Sequence, residues 1–373
     1  MTTLAVTAAN SAVGKALLAQ LDADTAVTRV VGIDRTPVDL PAAKLDFVAA
    51  DLRDAVLARV LEGVDVLVHL GPPDHLAWSD DRAFAVTVQG TRQILEAAAT
   101  AGITTVVAVS TALVYGAVET NWVPLREDAP LRADPRFPPA HHARRSEQLV
   151  HDFAAMHPDR RVVVLRPVPV LGPGVDSAVT RHLESPVLPM VRGYDPPAQF
   201  LDAGDLAAAV HLVALNERAT GTYNVAAEGW LTTSDVRRLL TRPTVHLPSE
   251  VAAQIAGVLY RLRLLTVPPT ALPYLMHPWV VDSQRLHELG WTPVTGQRDI
   301  VHRFVADHGA WLSVGRLRVR TVRLAAALLA VMATTAAGGT WLTGRWWLAR
   351  QARRRSADAP PPTRRRRGQS SAL

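Results

Sequence analysis

Cysteine is absent from this 373-residue chain, which removes disulfide frameworks, thiolate nucleophiles and cysteine-based metal sites from consideration. A reducing compartment is compatible with that absence. Lysine is nearly absent too: Lys15 and Lys44 are the two lysines, and the first of the five tyrosines, Tyr115, comes after both. No tyrosine can therefore be followed four residues later by a lysine, the pairing in which an ammonium group lowers a phenol's pKa. Without a Gly-x-Ser-x-Gly elbow, hydrolase chemistry has nothing to stand on. His141, His142 and His151 are not spaced with supporting carboxylates as metal ligands are, and no metal site is expected. Nor is a cleaved secretion signal, since the first strand-like run, Thr3 to Thr7, begins almost at Met1 and leaves no room for a basic and an apolar region.

What is present is apolar content of 48%, enough to bury one large core or two linked ones. The net charge of +6 conceals a split. From Arg316 onward there are 13 Arg and one Asp, a balance of +12, while the first 315 residues hold 27 basic and 33 acidic residues, a balance of −6. An acidic body argues against nucleic-acid binding. The basic tail is the part that would seek phosphate-rich surfaces.

Runs rich in Val and Ile, at Leu4 to Val6, Val30 to Ile33, Phe47 to Ala49, Val64 to Leu70, Thr105 to Ser110 and Val162 to Leu165, alternate with helical patterns. In one of these, Arg82 to Ala101, the residues Phe84, Val88, Thr91, Leu95 and Ala98 fall at helical spacing. The alternation predicts an α/β fold, a doubly wound parallel sheet covered on both faces. Around Pro167 to Gly174 the pattern turns irregular and predicts a smaller second lobe. The expected organisation is a doubly wound domain over 1–166, a smaller lobe over 167–310, an apolar Arg-flanked helix over 311–352 and a disordered basic tail over 353–373. Leu324 to Gly344 carries no charge across 21 residues, close to the roughly 20 that span a bilayer. It is rich in Ala, Thr and Gly, so insertion is marginal, and its heavier Arg flank lies beyond it. A single span and a helix lying in an anionic interface, with Trp341, Trp346 and Trp347 at headgroup depth, both remain open. Contact with the inner face of the cell membrane is the expectation, ahead of a helix packed on the body.

Ala8, Asn10, Ser11, Ala12, Val13 and Gly14 follow the first strand and open the first helix, where a Rossmann-type fold sets a glycine-rich turn against a pyrophosphate. The usual glycines stand here as Ala8, Ser11 and Gly14, so a Cβ intrudes at the first two positions and affinity should fall. Asp34 ends the second strand beside Arg35, placed to accept from a ribose and to repel a 2′-phosphate. Further pieces fall in order: Asp51-Leu52-Arg53-Asp54, Val68-His69-Leu70, Val88-Gln89-Gly90-Thr91, Ser110-Thr111, Val114-Tyr115-Gly116 and Leu165-Arg166-Pro167. Gly172-Pro173-Gly174, Gln199-Phe200 with Asp205, Gly221 to Val225 and Leu289-Gly290-Trp291 complete the series. Over residues 3 to 310 the chain resembles the extended short-chain dehydrogenase/reductases, the NAD-dependent epimerase/dehydratase group. The resemblance implies NAD as cofactor, with Asp51 and Leu52 around the adenine and Leu70, Gly71 and Pro72 toward the nicotinamide. It also implies a nucleotide-sugar substrate, and homodimers built through two helices are common in that family.

The departures are as informative. Aligned on Glu147, the family's Tyr and Lys positions hold Pro139 and Ala143, neither of which titrates. Thr111 matches the family's third catalytic group, and Pro169 stands where an Asn often meets the sugar-nucleotide phosphates. The leading expectation is an epimerase/dehydratase-like protein, catalytically atypical or inactive, that binds NAD weakly at the membrane. One alternative is an active enzyme on a nucleotide sugar or lipid-linked sugar, using Thr111 with His141 or His142, since an imidazole is a competent acid and base near neutral pH. Another is a non-enzymatic module that recruits a partner to the membrane.

Overall fold

The computed structural model describes residues 1–71, 80–262, 264–265, 267–309, 311–314 and 317–320. The chain divides into two compact units, Met1–Arg318 and Val319–Leu373, and the first is described below. Its first half runs β1 (Thr2–Thr7), α1 (Ala12–Ala23), β2 (Val27–Asp34), β3 (Leu45–Ala49), α2 (Leu57–Val60), β4 (Val66–Leu70), α3 (Asp80–Phe84) and α4 (Gly90–Thr100). Then come β5 (Thr105–Val109), α5 (Pro138–Met156), β6 (Arg161–Pro167), β7 (Val170–Leu171), α6 (Ala178–Leu183), β8 (Leu188–Val191), β9 (Pro197–Ala198) and β10 (Leu201–Asp202). The order continues through α7 (Ala203–Leu215), β11 (Gly221–Val225), β12 (Leu231–Thr232), α8 (Thr233–Leu240), β13 (Thr244–Leu247) and α9 (Ser249–Arg261). It closes with α10 (Gln284–His287), α11 (Gln297–His308), β14 (Trp311–Val314) and β15 (Leu317–Arg320).

Seven strands form one parallel sheet in the order β11-β6-β5-β4-β1-β2-β3. The six Val- and Ile-rich runs of the sequence are its first six strands. Side-chain alternation splits the core: Leu4, Val6, Val68, Val107 and Leu165 face α1 and α7, where Leu17, Leu21, Leu206 and Val210 meet them. Ala5, Leu67, Val106 and Val164 face the opposite layer, which holds Ile94 and Ala98 of α4 with Val150 and Phe153 of α5. Burying each of these aliphatic side chains contributes roughly 1.5–3 kcal/mol, which fixes the helices on both faces of the sheet.

Within 167–310, α7 and β11 return to the main sheet, β11 pairing with β6 from Gly221 to Val225. The rest packs a separate small core of Leu171, Leu188, Phe200, Leu231, Val236, Ile300 and Phe304. The polar residues that carried the sequence pattern here are buried and bonded to backbone. Gln199 Nε2 donates to Gly229 O at 2.9 Å while its Oε1 accepts from Val281 N at 2.9 Å. The Asp205 carboxylate accepts from the Val294 and Thr295 amides at 3.0 and 3.1 Å. Of the stretch 311–352, the strands β14 and β15 are described and pair with each other. The uncharged run 324–344 and the tail 353–373 lie outside the described residues. Among the described residues no helix is long and apolar enough to cross a membrane.

Candidate functional site

The carboxyl ends of parallel strands all open on one edge of the sheet, so the loops after β1, β4, β5 and β6 converge there. They line a cavity of about 640 Å³ whose wall includes Asn10 to Val13, Leu70, Gly71, Ser110 and Thr111. Helix α5 supplies the opposite wall with Pro139, His142, Ala143, Ser146 and Glu147, one face of the helix at spacings of three and four. Pro138 and Pro139 occupy its first two positions, where the missing amides have no intrahelical acceptor to lose.

The loop after β1 keeps a glycine-like path without its first glycine. Ala8 adopts φ +50°, a left-handed conformation that costs an ordinary residue roughly 1–2 kcal/mol. Ser11 caps α1, its Oγ accepting from the Gly14 amide at 3.0 Å. At Gly14 no larger residue fits, because a Cβ would lie 2.5 Å from Ala8 O and 2.7 Å from Ala9 O. Asp34 reaches back to this loop: Oδ2 accepts from Asn10 N at 3.0 Å, and Oδ1 accepts from the Arg35 and Thr36 amides at 2.7 and 3.2 Å. Oδ1 is filled by these donors, whereas Oδ2 keeps lone-pair capacity for a ligand hydroxyl. Asp51 accepts from Arg53 Nε at 2.8 Å and Nη2 at 2.9 Å, and that guanidinium holds its carboxyl below the usual range. Leu52 packs close to Gly90, whose absent side chain leaves the room. Asp34, Arg35, Asp51 and Leu52 are not among the cavity's lining residues, and Pro72 lies outside the described residues.

Beneath the cavity runs a buried polar network. Arg166 donates to both oxygens of Glu147, and its Nη1 donates to Tyr115 Oη at 2.7 Å and to Glu127 O at 3.0 Å. Tyr115 in turn donates to Asn224 Oδ1 at 2.7 Å. Burial alone would raise the Glu147 pKa, but hydrogen bonds from His151 and Arg166 and the Arg166 charge hold it at about 2. Burial pushes the Tyr115 phenol up to about 12, so it stays protonated at neutral pH. Gly116 follows at φ +70°, and a Cβ there would meet Arg132 O at 2.5 Å, which explains the glycine of that pair. Ser110 Oγ, on the same cavity wall as Glu147, is buried with no hydrogen-bond partner among the described residues.

The structure brings Thr111 and His142 to the same cavity, whereas His141, one residue earlier on α5, is not among its lining residues. Thr111 Oγ1 accepts from Leu113 N at 3.3 Å and caps the turn Ala112–Tyr115. His142 is buried, with Phe84 edge-on at 5.4 Å between ring centroids. His69, of the Val68-His69-Leu70 piece, also lines the cavity, as do Asp176 and Tyr260, which nothing in the local sequence marks for it. His69 bridges Thr7 Oγ1 and Thr91 Oγ1 at 3.0 Å each, and burial pushes its pKa down to about 4, so the ring is neutral. Thr91 donates onward to Thr87 O at 2.6 Å, a carbonyl that also accepts from Ser146 Oγ at 3.0 Å. That carbonyl belongs to a π-type turn, Ala85–Gln89, between α3 and α4. Turns of this kind free carbonyls and often stand at functional sites.

A family model described as the NAD dependent epimerase/dehydratase family matches residues 4–226. An uncharacterised protein of Mycobacterium tuberculosis is 28% identical over 300 residues, covering 77% of this chain and 79% of the relative. A dTDP-glucose 4,6-dehydratase of Streptomyces griseus is 41% identical over 90 residues, 23% of this chain and 26% of the relative. The solved structure of the dTDP-glucose 4,6-dehydratase DesIV from Streptomyces venezuelae, with NAD and TYD bound, superposes with a TM-score of 0.65. It is 22% identical and covers 83% of this chain and 97% of its own. A UDP-glucuronic acid 4-epimerase from Bacillus cereus, in complex with UDP-glucuronic acid and NAD, also gives 0.65 at 19% identity, covering 83% of this chain and 99% of its own. At these identities the likeness is one of fold.

Proposed function

Because the chain belongs to the NAD-dependent epimerase/dehydratase family, we propose that it binds NAD along the loop after β1 and does not run the tyrosine–lysine proton relay. The residues present fit the cofactor. Gly14 admits the close approach of α1 to the loop, the Ala12 and Val13 amides stand at the helix N-terminus that a pyrophosphate needs, and Asp34 favours a ribose diol over a 2′-phosphate. The strained Ala8 and the extra bulk of Ser11 make that binding weak. Bound NAD would supply hydride chemistry at the Leu70–Gly71 end.

The observation that carries the reading is the α5 wall. Pro139 and Ala143 line the cavity at the two positions where a phenol and an ammonium would stand, and Lys15 and Lys44 lie in α1 and ahead of β3. Tyr115 is no substitute, since its hydroxyl is committed to Arg166 and Asn224 and its pKa is about 12. The +12 tail would hold the protein at the inner, anionic face of the cell membrane. The test is to follow NAD binding to the full chain by calorimetry, and conversion of UDP-glucose and dTDP-glucose by chromatography of the sugar nucleotides, since a reaction that returns the hydride to the sugar leaves no net NADH. Binding without turnover is expected, and turnover that Thr111→Ala abolishes would overturn the relay-less reading.

One observation favours a second reading. His142 and Thr111 share the cavity, and a buried imidazole beside a hydroxyl can act as acid and base on a nucleotide sugar or lipid-linked sugar. Under it His142→Phe removes activity and its pH dependence, whereas His141→Phe leaves both.

A further inference from the structure

Resting on the reading that NAD occupies the loop end, we infer that the other end of the cavity takes an uncharged, largely apolar ligand rather than a second nucleotide diphosphate. A nucleoside diphosphate brings about two negative charges, and burying them without cations or free amides costs several kcal/mol. Among the described residues that line the cavity there is neither a lysine nor an arginine. The charged side chains on its wall, Glu147 and Asp176, are acidic and already paired, to Arg166 and to Arg181 at 2.7 Å, both from outside the lining. Around β7, α6 and α9 the wall includes Pro169, Val170, Val175, Val179, Tyr260 and Val267, with Asp176 and Ser177 among them as polar members. Pro169 has no amide to offer.

The one helix start at this end is no substitute. Helix α6 enters beside Ser177 and Val179, but its box is closed: Ser177 Oγ accepts from Thr180 N at 3.1 Å and Thr180 Oγ1 accepts from Ser177 N at 2.7 Å. The box takes the Ser177 and Thr180 amides, and a helix of six residues is too short for its N-terminus to hold a phosphate without a cation beside it. The chemistry that matches this wall is hydrocarbon, with Thr111 and Tyr260 as hydroxyl partners for a single polar group.

The probe is N-phenyl-1-naphthylamine, neutral and apolar, titrated into the full chain saturated with NAD and followed by fluorescence. UDP and UDP-glucose are titrated in parallel and followed by calorimetry. Probe binding that millimolar UDP neither displaces nor matches is expected, and Val179→Arg should weaken it by about tenfold by placing a charge in the apolar wall. Should that variant melt early, Val179→Trp fills the same space without charge and should weaken the probe alike. Because α9 exposes Val251, Ile255, Val258 and Leu262 in one stripe, the probe could also sit on that surface. Val258→Glu distinguishes the two: it should leave binding unchanged. Tight UDP-glucose binding overturns the inference, as does probe binding that Val258→Glu abolishes and the Val179 variants spare. NAD binding is read in the same samples, so its failure counts against the cofactor reading and probe failure with NAD bound counts against this one.

Discussion

Glu147→Gln removes one charge from a pair closed to water, since Glu147 is 2% exposed and Arg166 4%. The ordinary carboxyl value of 4.5 falls to about 2 in the folded chain. At about 1.4 kcal/mol per pH unit, that difference is worth about 3 kcal/mol. Breaking a buried pair by removing one partner costs roughly 3–5 kcal/mol, which agrees. Because the folded value lies below the unfolded one, the contribution is fully present above about pH 4.5 and is lost as pH falls toward 2. Urea unfolding followed by tryptophan fluorescence, at neutral pH and stepwise into acid, should show the variant less stable by about 3 kcal/mol, with the gap closing below pH 4.5. Adding Arg166→Met should recover part of the loss, because the stranded guanidinium is what the single substitution leaves behind. A gap below about 1 kcal/mol at neutral pH, or one that does not change with acid, would show that the pair is not the electrostatic tie described.

Gly14→Ala should cost about 1–3 kcal/mol in a thermal melt and abolish NAD binding, since its Cβ would press on Ala8 O and Ala9 O. Ala8→Gly relieves a left-handed residue but loosens the unfolded chain, so stability should change by less than about 1 kcal/mol while NAD binding tightens by about threefold to tenfold in calorimetry. Unchanged affinity there would mean the loop strain does not limit the cofactor. Glu184→Gln should speed tryptic cleavage after Arg318, because Glu184 is fully buried and accepts from His308, Ser313 and Arg318, tying β14 and β15 to the body. Burial would raise the Glu184 pKa, but those donors hold it at about 2, so the tie weakens in wild type only as pH falls from about 4.5 toward 2.

Five of the six strands were legible because a parallel strand largely buried on both faces reads as a Val- and Ile-rich run, whereas the edge strand β3 was marked only by its short apolar piece Phe47 to Ala49. The seventh, Gly221–Val225, reads Gly-Thr-Tyr-Asn-Val and carries no such signature. Its place beside β6 comes from α7 crossing over α1, a contact between residues nearly two hundred apart, as in the 2.8 Å pair of His211 with Asp24. The π-type turn at Ala85–Gln89 was hidden for a different reason: Phe84, Val88, Thr91, Leu95 and Ala98 keep an ordinary helical rhythm through it. At the site, the loop after β1 and Asp34 were marked not by their own residues but by their places, between the first strand and helix and at the end of the second strand. The two adjacent histidines were not separable, because their identity says nothing of helix phase. That phase is set by the start of α5 at Pro138, which turns 139, 142, 143, 146 and 147 to the cavity and leaves 141 off it. Tyr260 arrives from α9, more than a hundred residues downstream, with no local mark at all.

The same helix shows why Pro139 and Ala143 sit in α5 at no cost to the fold. The Tyr position falls in the first turn of α5, where amides lack intrahelical partners, so Pro139 forfeits no backbone hydrogen bond and supplies a helical φ. The Lys position falls one turn later, where Ala143 is the strongest helix former available. Neither side chain has a hydrogen-bonding group to give the buried network below, in which Glu147, Arg166, Tyr115 and Asn224 satisfy one another. Stability therefore rests on one set of residues and proton transfer on another, and the second set can be replaced at no cost to the first.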